Sequence, residues 1–206
     1  MYAPSSFAQR DRGAIVALMR DHGFAQLVTV ADGAPWVSHL PLLHLEDGSA
    51  HGVLVGHMAR ANPQWRHFEA GDALAVFTGP HAYVSPRYYA SPEQVPTWNY
   101  AVVHAHGRAR AIDDPARARA VLELLVAQYE GDAATPWRVD DLPADKLGRL
   151  LQAITAFELP IAGLDGKWKV GQNRAVEDRE AAAAALVASG EPVAAAVAAL
   201  MRATIE

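Results

Sequence analysis

The rhythm of apolar and polar positions changes several times along the chain, and each change marks an element. In "RDRGAIVALMRDHG", Ile15, Leu18 and Met19 fall on one stripe of a helix, and Gly23 stands where a left-handed residue closes one. Period-two segments follow in "FAQLVTV", "WVSHLPLLHL" and "AHGVLVGH", separated by the turn dipeptides Asp32-Gly33 and Asp47-Gly48, which predicts an antiparallel meander. "NPQWRHFEAG" predicts a short helix with Asn62 as cap, Pro63 in its first position and Gly71 beyond its end. Strand rhythm resumes in "DALAVFTG", "HAYVS" and "YAVVHAHGRARAI". The segment "DDPARARAVLELLVAQYEG" reads as a helix capped by Asp114, opened by Pro115 and closed by Gly131. In "TAFELPIAGL", Phe157, Leu159 and Ile161 share one strand face, with Asp165-Gly166 as the next turn. From Val176 onward the alanine-rich text predicts helix, broken once at "SGEP".

Six or more closely spaced strands joined mostly by turns imply an α+β fold, mainly antiparallel β, in which a barrel carries peripheral helices. Its 206 residues suit one domain with a small appendage. Hydrophobic residues at 51% and charged residues at 20% are a folded composition. With no cysteine, disulfides, thiolate metal sites and cysteine nucleophiles are excluded. The N-terminus lacks the basic-then-apolar pattern of a signal peptide, and no apolar run reaches the roughly 18 residues of a membrane span, so the expected location is cytoplasmic, with no membrane partner. A net charge of −5 argues against a domain built chiefly to grip nucleic-acid phosphates.

Missing parts remove several chemistries. No two glycines stand two apart, so the dinucleotide-binding G-x-G-x-x-G loop is absent, and "DGKW" lacks the upstream glycine of a P-loop. There is no G-x-S-x-G elbow, and Ser38 points to the opposite strand face from His39. His104 and His106 share a face as two metal ligands would, but no H-E-x-x-H helix or third spaced ligand accompanies them, and they read as structural histidines with no metal. No catalytic residue is assigned. Arg108, Arg110, Arg117 and Arg119 form the best basic cluster, interrupted by Asp113 and Asp114, which reads as a solvated strand end and helix face rather than a DNA contact.

Aromatic residues point to a ligand. Tyr83, Tyr88, Tyr89, Trp98 and Tyr100 are five of the chain's eleven Tyr and Trp residues, gathered within eighteen positions. They fit an aromatic cluster at a barrel mouth or dimer contact equally well as a slot for a planar ligand. Thr97, Asn99, His39, His57, Asn62 and Gln172 add the hydrogen-bonding groups that favour the slot. The helix opening at Asn62-Pro63, preceded by His57 and Arg60, offers backbone N–H groups to an anion, unless Asn62 only caps its own helix.

Six ordered motifs carry a resemblance: "MYAPSSF", "SHLP", "GHMARANPQW", "GPHAYVSPRYY", "VPTWNYAVVHAHG" and "GKWKVGQNR". Together they resemble the PaiB-type, FMN-binding negative transcriptional regulator family, from Met1 to about Glu180. The resemblance implies an FMN-binding split β-barrel of the flavin-reductase and pyridoxamine-oxidase-like type over residues 1–174, with residues 175–206 as a helical extension packed on the same domain. It also implies a homodimer with FMN near the subunit interface. His39, His57 and Asn62, with the helix carrying Trp65, are then expected at the phosphate and ribityl chain. Thr97, Trp98 and Asn99 face the ring in a slot that Tyr88 helps to shape. Lys167, Trp168, Gln172, Asn173 and Arg174 close the site from the partner subunit. Gly171 stands where the family pattern has serine. Transcriptional regulation is the implied function. An FMN-dependent oxidoreductase of a small substrate is the alternative, and a haem-binding barrel is a further one, since some barrels of this type hold haem through a histidine.

Overall fold

A computed structural model describes residues 1–131 and 133–205. The strands are β1 (Ala8–Gln9), β2 (Phe24–Ala31), β3 (Ala34–Leu45), β4 (Val53–Ala59), β5 (Ala73–Val84), β6 (Thr97–Gly107), β7 (Arg110–Ile112), β8 (Ile154–Pro160) and β9 (Gly163–Lys169). The α-helices are α1 (Arg12–Asp21), α2 (Pro115–Glu130), α3 (Ala144–Gln152), α4 (Val176–Ala188) and α5 (Pro192–Arg202). The chain forms two compact units. One comprises Met19–Phe77 and His104–Leu164; the other comprises Met1–Leu18, Thr78–Val103 and the chain from Asp165 onward.

In the unit built on Met19–Phe77, the strand order is β5-β2-β3-β4-β8-β7, and the pairs are antiparallel. Strand β3 serves two neighbours in turn: Ala34 to Pro41 pair with β2, and Leu42 to Leu45 pair with β4. The β2–β3 hairpin turns on Asp32 and Gly33, both at positive φ (52° and 75°), the paired left-handed geometry that a two-residue hairpin needs. Phe157 and Leu159 on β8 are fully buried with Leu27, Leu54 and Phe77, and Ile161 joins them, as the alternation predicts. Helix α2 packs Val121 and Leu125 on Val55, Ile112 and Ala156. Its start has the predicted chemistry, because the Asp114 carboxylate accepts the Ala116 N–H at 2.9 Å and Pro115 needs no partner there.

The other unit has the order β1-β9-β6-β5. Its second core lies where α4 and α5 pack Ala182, Ala183, Leu186, Val197, Ala198 and Met201 around Val84 and Val170. The alanines therefore have more than helix propensity to contribute. Their small side chains bring two helices close and let the larger residues reach the strands, at roughly 25 cal/mol per Å² of apolar surface removed from water.

Three local expectations are corrected. "DALAVFTG" and "HAYVS" are one continuous strand, β5, despite Gly79-Pro80 between them. Asp165-Gly166 is not a turn but the middle of β9, where Gly166 pairs with Gln9 and Lys167 with Ala8. Gly23 is not left-handed; a side chain there would meet the Tyr129 hydroxyl at 2.8 Å and the Leu42 carbonyl at 3.3 Å, so close approach favours glycine. Gly131 closes α2 as predicted, its N–H donating to the Ala127 carbonyl. The helix α3, with only Leu147 fully buried, had no counterpart in the apolar pattern.

Candidate functional site

The predicted site residues fall into two sets, one in each unit. The first set gathers around the segment after β4. Asn62 caps a 3₁₀ helix, Pro63–Glu69, and both ends of its amide are in use. Its Oδ1 accepts the Gln64 N–H at 3.1 Å, and its Nδ2 donates to Ser38 Oγ at 2.8 Å. With Pro63 carrying no N–H and that of Gln64 taken, the helix start offers an anion less than its sequence suggests. Arg60 is turned to α3, donating from Nε to the Gln152 carbonyl at 2.8 Å, and the Trp65 indole donates to the Arg60 carbonyl at 3.1 Å.

Beneath this helix lies a polar core that no motif announced. Gln64 is completely buried, and its amide nitrogen faces the Leu27 carbonyl (2.9 Å), the Trp36 carbonyl (3.1 Å) and Thr29 Oγ1 (3.2 Å). Thr29 Oγ1 also bonds His67 Nδ1 at 3.1 Å, and the Trp36 ring meets His67 edge-on. This network ties the helix carrying Asn62 and Trp65 to the β2–β3 hairpin.

His57 lies on β4 opposite Ala156. Its Nδ1 is buried and has no hydrogen-bond partner among the described residues, and burial holds its pKa below the ordinary imidazole value. A buried nitrogen without a partner is an opening for a ligand donor or acceptor. His39 is exposed on the outward face of β3, paired with Gln26, with Phe24 as its ring neighbour.

The second set centres on β6 and β9. Thr97, Trp98, Tyr100, Lys167 and Lys169, with Tyr2, Pro4 and Phe7, line a cavity of about 360 Å³. The Lys169 ammonium donates to Thr97 Oγ1 at 2.5 Å and to the Trp98 carbonyl at 2.7 Å. Lys167 Nζ stands over the rings of both Tyr2 and Tyr100, at 5.5 and 5.3 Å from their centroids. Burial lowers the Lys169 pKa, and the charges of Lys167 and Arg174 lower it further. Trp98 is exposed, with Tyr83 and His81 beside its indole.

The remaining residues of this set stand apart from the cavity wall. Asn99 points to the buried side of β6, where its amide reaches Met201 Sδ at 3.4 Å. Trp168 is buried. Gln172 folds the chain after β9: its Nε2 donates to the Trp168 carbonyl at 2.6 Å and its Oε1 accepts the Val170 N–H at 2.9 Å. Asn173 is exposed, and Arg174 stacks over Tyr89, near Tyr88 in sequence. Gly171 has φ +86°, so glycine is the residue that this turn favours, and the missing serine has a backbone reason. Lys169 and Tyr2 are additions to the expected site, and Tyr100, expected among the slot aromatics, lines the cavity. The spacing of Lys167 and Lys169 is a strand signal once Asp165-Gly166 is recognised as strand rather than turn.

The family described as "Putative FMN-binding domain" matches residues 1–163. The protein named protease synthase and sporulation protein PAI 2, from Bacillus subtilis, is 36% identical over 175 residues, covering 84% of this chain and 83% of its own. The chain belongs to the PaiB-type FMN-binding family. Among solved structures, the FAD- and haem-binding protein from Mycobacterium smegmatis aligns with a TM-score of 0.63 at 20% identity, over 89% of this chain and 80% of that one. The flavocytochrome Anf3 from Azotobacter vinelandii aligns with a TM-score of 0.60 at 19% identity, over 79% and 69%. The fold is thus the expected α+β split barrel, and FMN is the cofactor of this family. The family match ends before Gly166–Arg174, so the role of that motif rests on this chain's own geometry. The residues suit a flavin: an unpartnered buried nitrogen at His57, and an aromatic cavity with two ammonium groups and no carboxylate in its lining.

Proposed function

We propose that this chain is an FMN-binding regulator, with FMN held against the cavity between β6 and β9. The observation that carries the reading is the cavity lining: Tyr2, Trp98 and Tyr100 supply apolar faces, while Lys167 and Lys169 supply positive charge beside Thr97. Bound FMN supplies one- and two-electron transfer. Lys169, fixed by Thr97 and the Trp98 carbonyl, would set a positive charge beside a flavin held in this cavity. Asn99 supports that strand from its buried side, and Tyr88 shapes the neighbouring wall. His39, His57, Asn62 and Trp65 of one subunit are assigned to the phosphate and ribityl chain, and the β6–β9 cavity of its partner, with Lys167, Trp168, Gln172, Asn173 and Arg174, to closure of the site across the dimer.

The proposed assembly is a homodimer in the cytoplasm. Its support is the outward face of β3-β2-β5, where register places Val37 beside Val28 and Pro35 beside Val30, and where Leu74 lies beside Val28. Phe24 (70% exposed), Val30 (56%) and Val37 (49%) are open to solvent on this face, as an interface would require. No helix among the described residues is long and apolar enough to cross a membrane. Residues 1–174 are read as the cofactor domain and residues 175–206 as its helical extension, since α4 and α5 share a core with Val84 and Val170.

Regulation is favoured because the Bacillus relative is named for protease synthesis and sporulation. Half of the basic cluster is engaged internally: Arg117 pairs with Glu158, and Arg119 with Glu123 and Asp140. Contact with DNA would therefore be limited or indirect. The test is FMN affinity of the His57→Ala/Asn62→Ala protein and of Lys169→Met, each checked for fold by circular dichroism. Weakened FMN affinity in both folded proteins supports the site, and unchanged affinity in both refutes it. Promoter binding that falls steeply with salt distinguishes the regulator from an oxidoreductase, which would instead bleach with a reduced nicotinamide and recover with an acceptor.

A further inference from the structure

A second cavity, of about 530 Å³, opens between the 3₁₀ helix Pro63–Glu69 and the chain from Arg108 to Asp113, within one unit. Its floor includes Phe68 and Ala109, both buried, and Phe68 is held by the ring of Phe157 at 5.3 Å. Around the opening stand three arginines, Arg66, Arg108 and Arg110. Among the described residues none of the three forms an ion pair, whereas Arg117, Arg119 and Arg149 all do. Arg66 stacks its guanidinium on Trp65, 5.2 Å from the ring centroid, and Arg108 donates to the Glu69 main-chain carbonyl at 3.2 Å. Both contacts hold a guanidinium in place without neutralising it. The carboxylates of Glu69 and Asp113 complete the lining.

We infer that this cleft binds a nucleoside polyphosphate, separately from FMN. Planar guanidinium groups match phosphate oxygens through paired N–H donors. The Arg66 guanidinium, backed by Trp65, offers a flat surface to a base. Glu69 and Asp113 are acceptors for ribose hydroxyls, a use that a site for a simple anion would not have. The concavity also has the size of a small-molecule site, in the range of about 300–1,000 Å³, rather than the extended track of a nucleic-acid strand.

The test uses the FMN-saturated protein and isothermal titration with ATP, adenosine, inorganic pyrophosphate and a single-stranded oligonucleotide. ATP is expected to bind at one site per chain without changing flavin fluorescence, more tightly than pyrophosphate, while adenosine alone binds weakly or not at all. Arg108→Gln/Arg110→Gln should weaken ATP at least tenfold and leave FMN affinity unchanged, and Arg149→Gln on α3 should leave both unchanged. Four results would overturn the inference: no ATP binding, displacement of FMN by ATP, pyrophosphate binding as tightly as ATP, or an oligonucleotide binding more tightly than ATP through the same arginines.

Discussion

Replacing Gln64 with leucine tests whether the buried polar network holds the candidate site in place. The side chain is fully buried, and its amide nitrogen serves two carbonyls and one hydroxyl within 3.2 Å. Two N–H hydrogens cannot satisfy three acceptors fully, so one bond is shared. Leucine has similar volume but no donor. It leaves the carbonyls of Leu27 and Trp36 short of a partner, at about 1–3 kcal/mol per unsatisfied buried group. Gains offset part of that loss, because leucine prefers burial and the Gln64 Oε1, itself without a partner among the described residues, disappears. The net cost is about 2–3 kcal/mol, a fall in Tm of roughly 4–12 °C for a chain of this length. Thermal unfolding followed by circular dichroism gives the number, with a urea midpoint as a second reading. Gln64→Glu should be worse than Gln64→Leu, because it sets a carboxylate against two carbonyls. A Gln64→Leu protein that melts within 1 °C of the parent would refute the reasoning. FMN affinity should fall along with stability, since the same helix carries Asn62 and Trp65.

Three further outcomes follow from individual residues. Gly171→Ala should cost about 1–2 kcal/mol from its left-handed backbone alone, since the new methyl would meet Arg179 Cγ at an ordinary 3.6 Å; equal urea midpoints would contradict this. Burial lowers the His57 pKa below its unfolded value of 6.5, so the unfolded chain binds the extra proton, and this group's contribution is complete above that pH and is lost as pH falls below it. A His57→Phe protein should therefore lose less stability between pH 7 and 5 than the parent, and an identical acid limb would count against it. Lys169 has its pKa lowered by burial and by Lys167 and Arg174, so FMN affinity should decline with rising pH earlier than an ordinary lysine would cause, and Lys169→Met should abolish that dependence in a titration series.

Local chemistry was legible where it is self-contained. Asp114-Pro115 and Asn62-Pro63 announce helix starts, because the capping bond closes within two residues. Phe157, Leu159 and Ile161 announce a buried strand face, because burial follows the two-residue period. Strand β9 was misread because Asp165-Gly166 has turn chemistry, and only long-range pairing with Ala8 and Gln9 overrides it. Helix α3 was missed because its polar text leaves Leu147 as its one fully buried side chain. The site divides in the same way. Its aromatic residues and basic motif were visible in the text, whereas the Lys169 contact to Thr97 spans 72 positions, and Gln64 carries no signal of burial among polar neighbours.

The measurement that bears most directly on the FMN reading is a fluorescence titration of the flavin-free chain with FMN, with an absorption spectrum of the protein as purified. Saturable quenching at one FMN per chain, with flavin bands and no Soret band, is the predicted result. A chain that binds no FMN, or one that carries a Soret band in place of flavin, would contradict it.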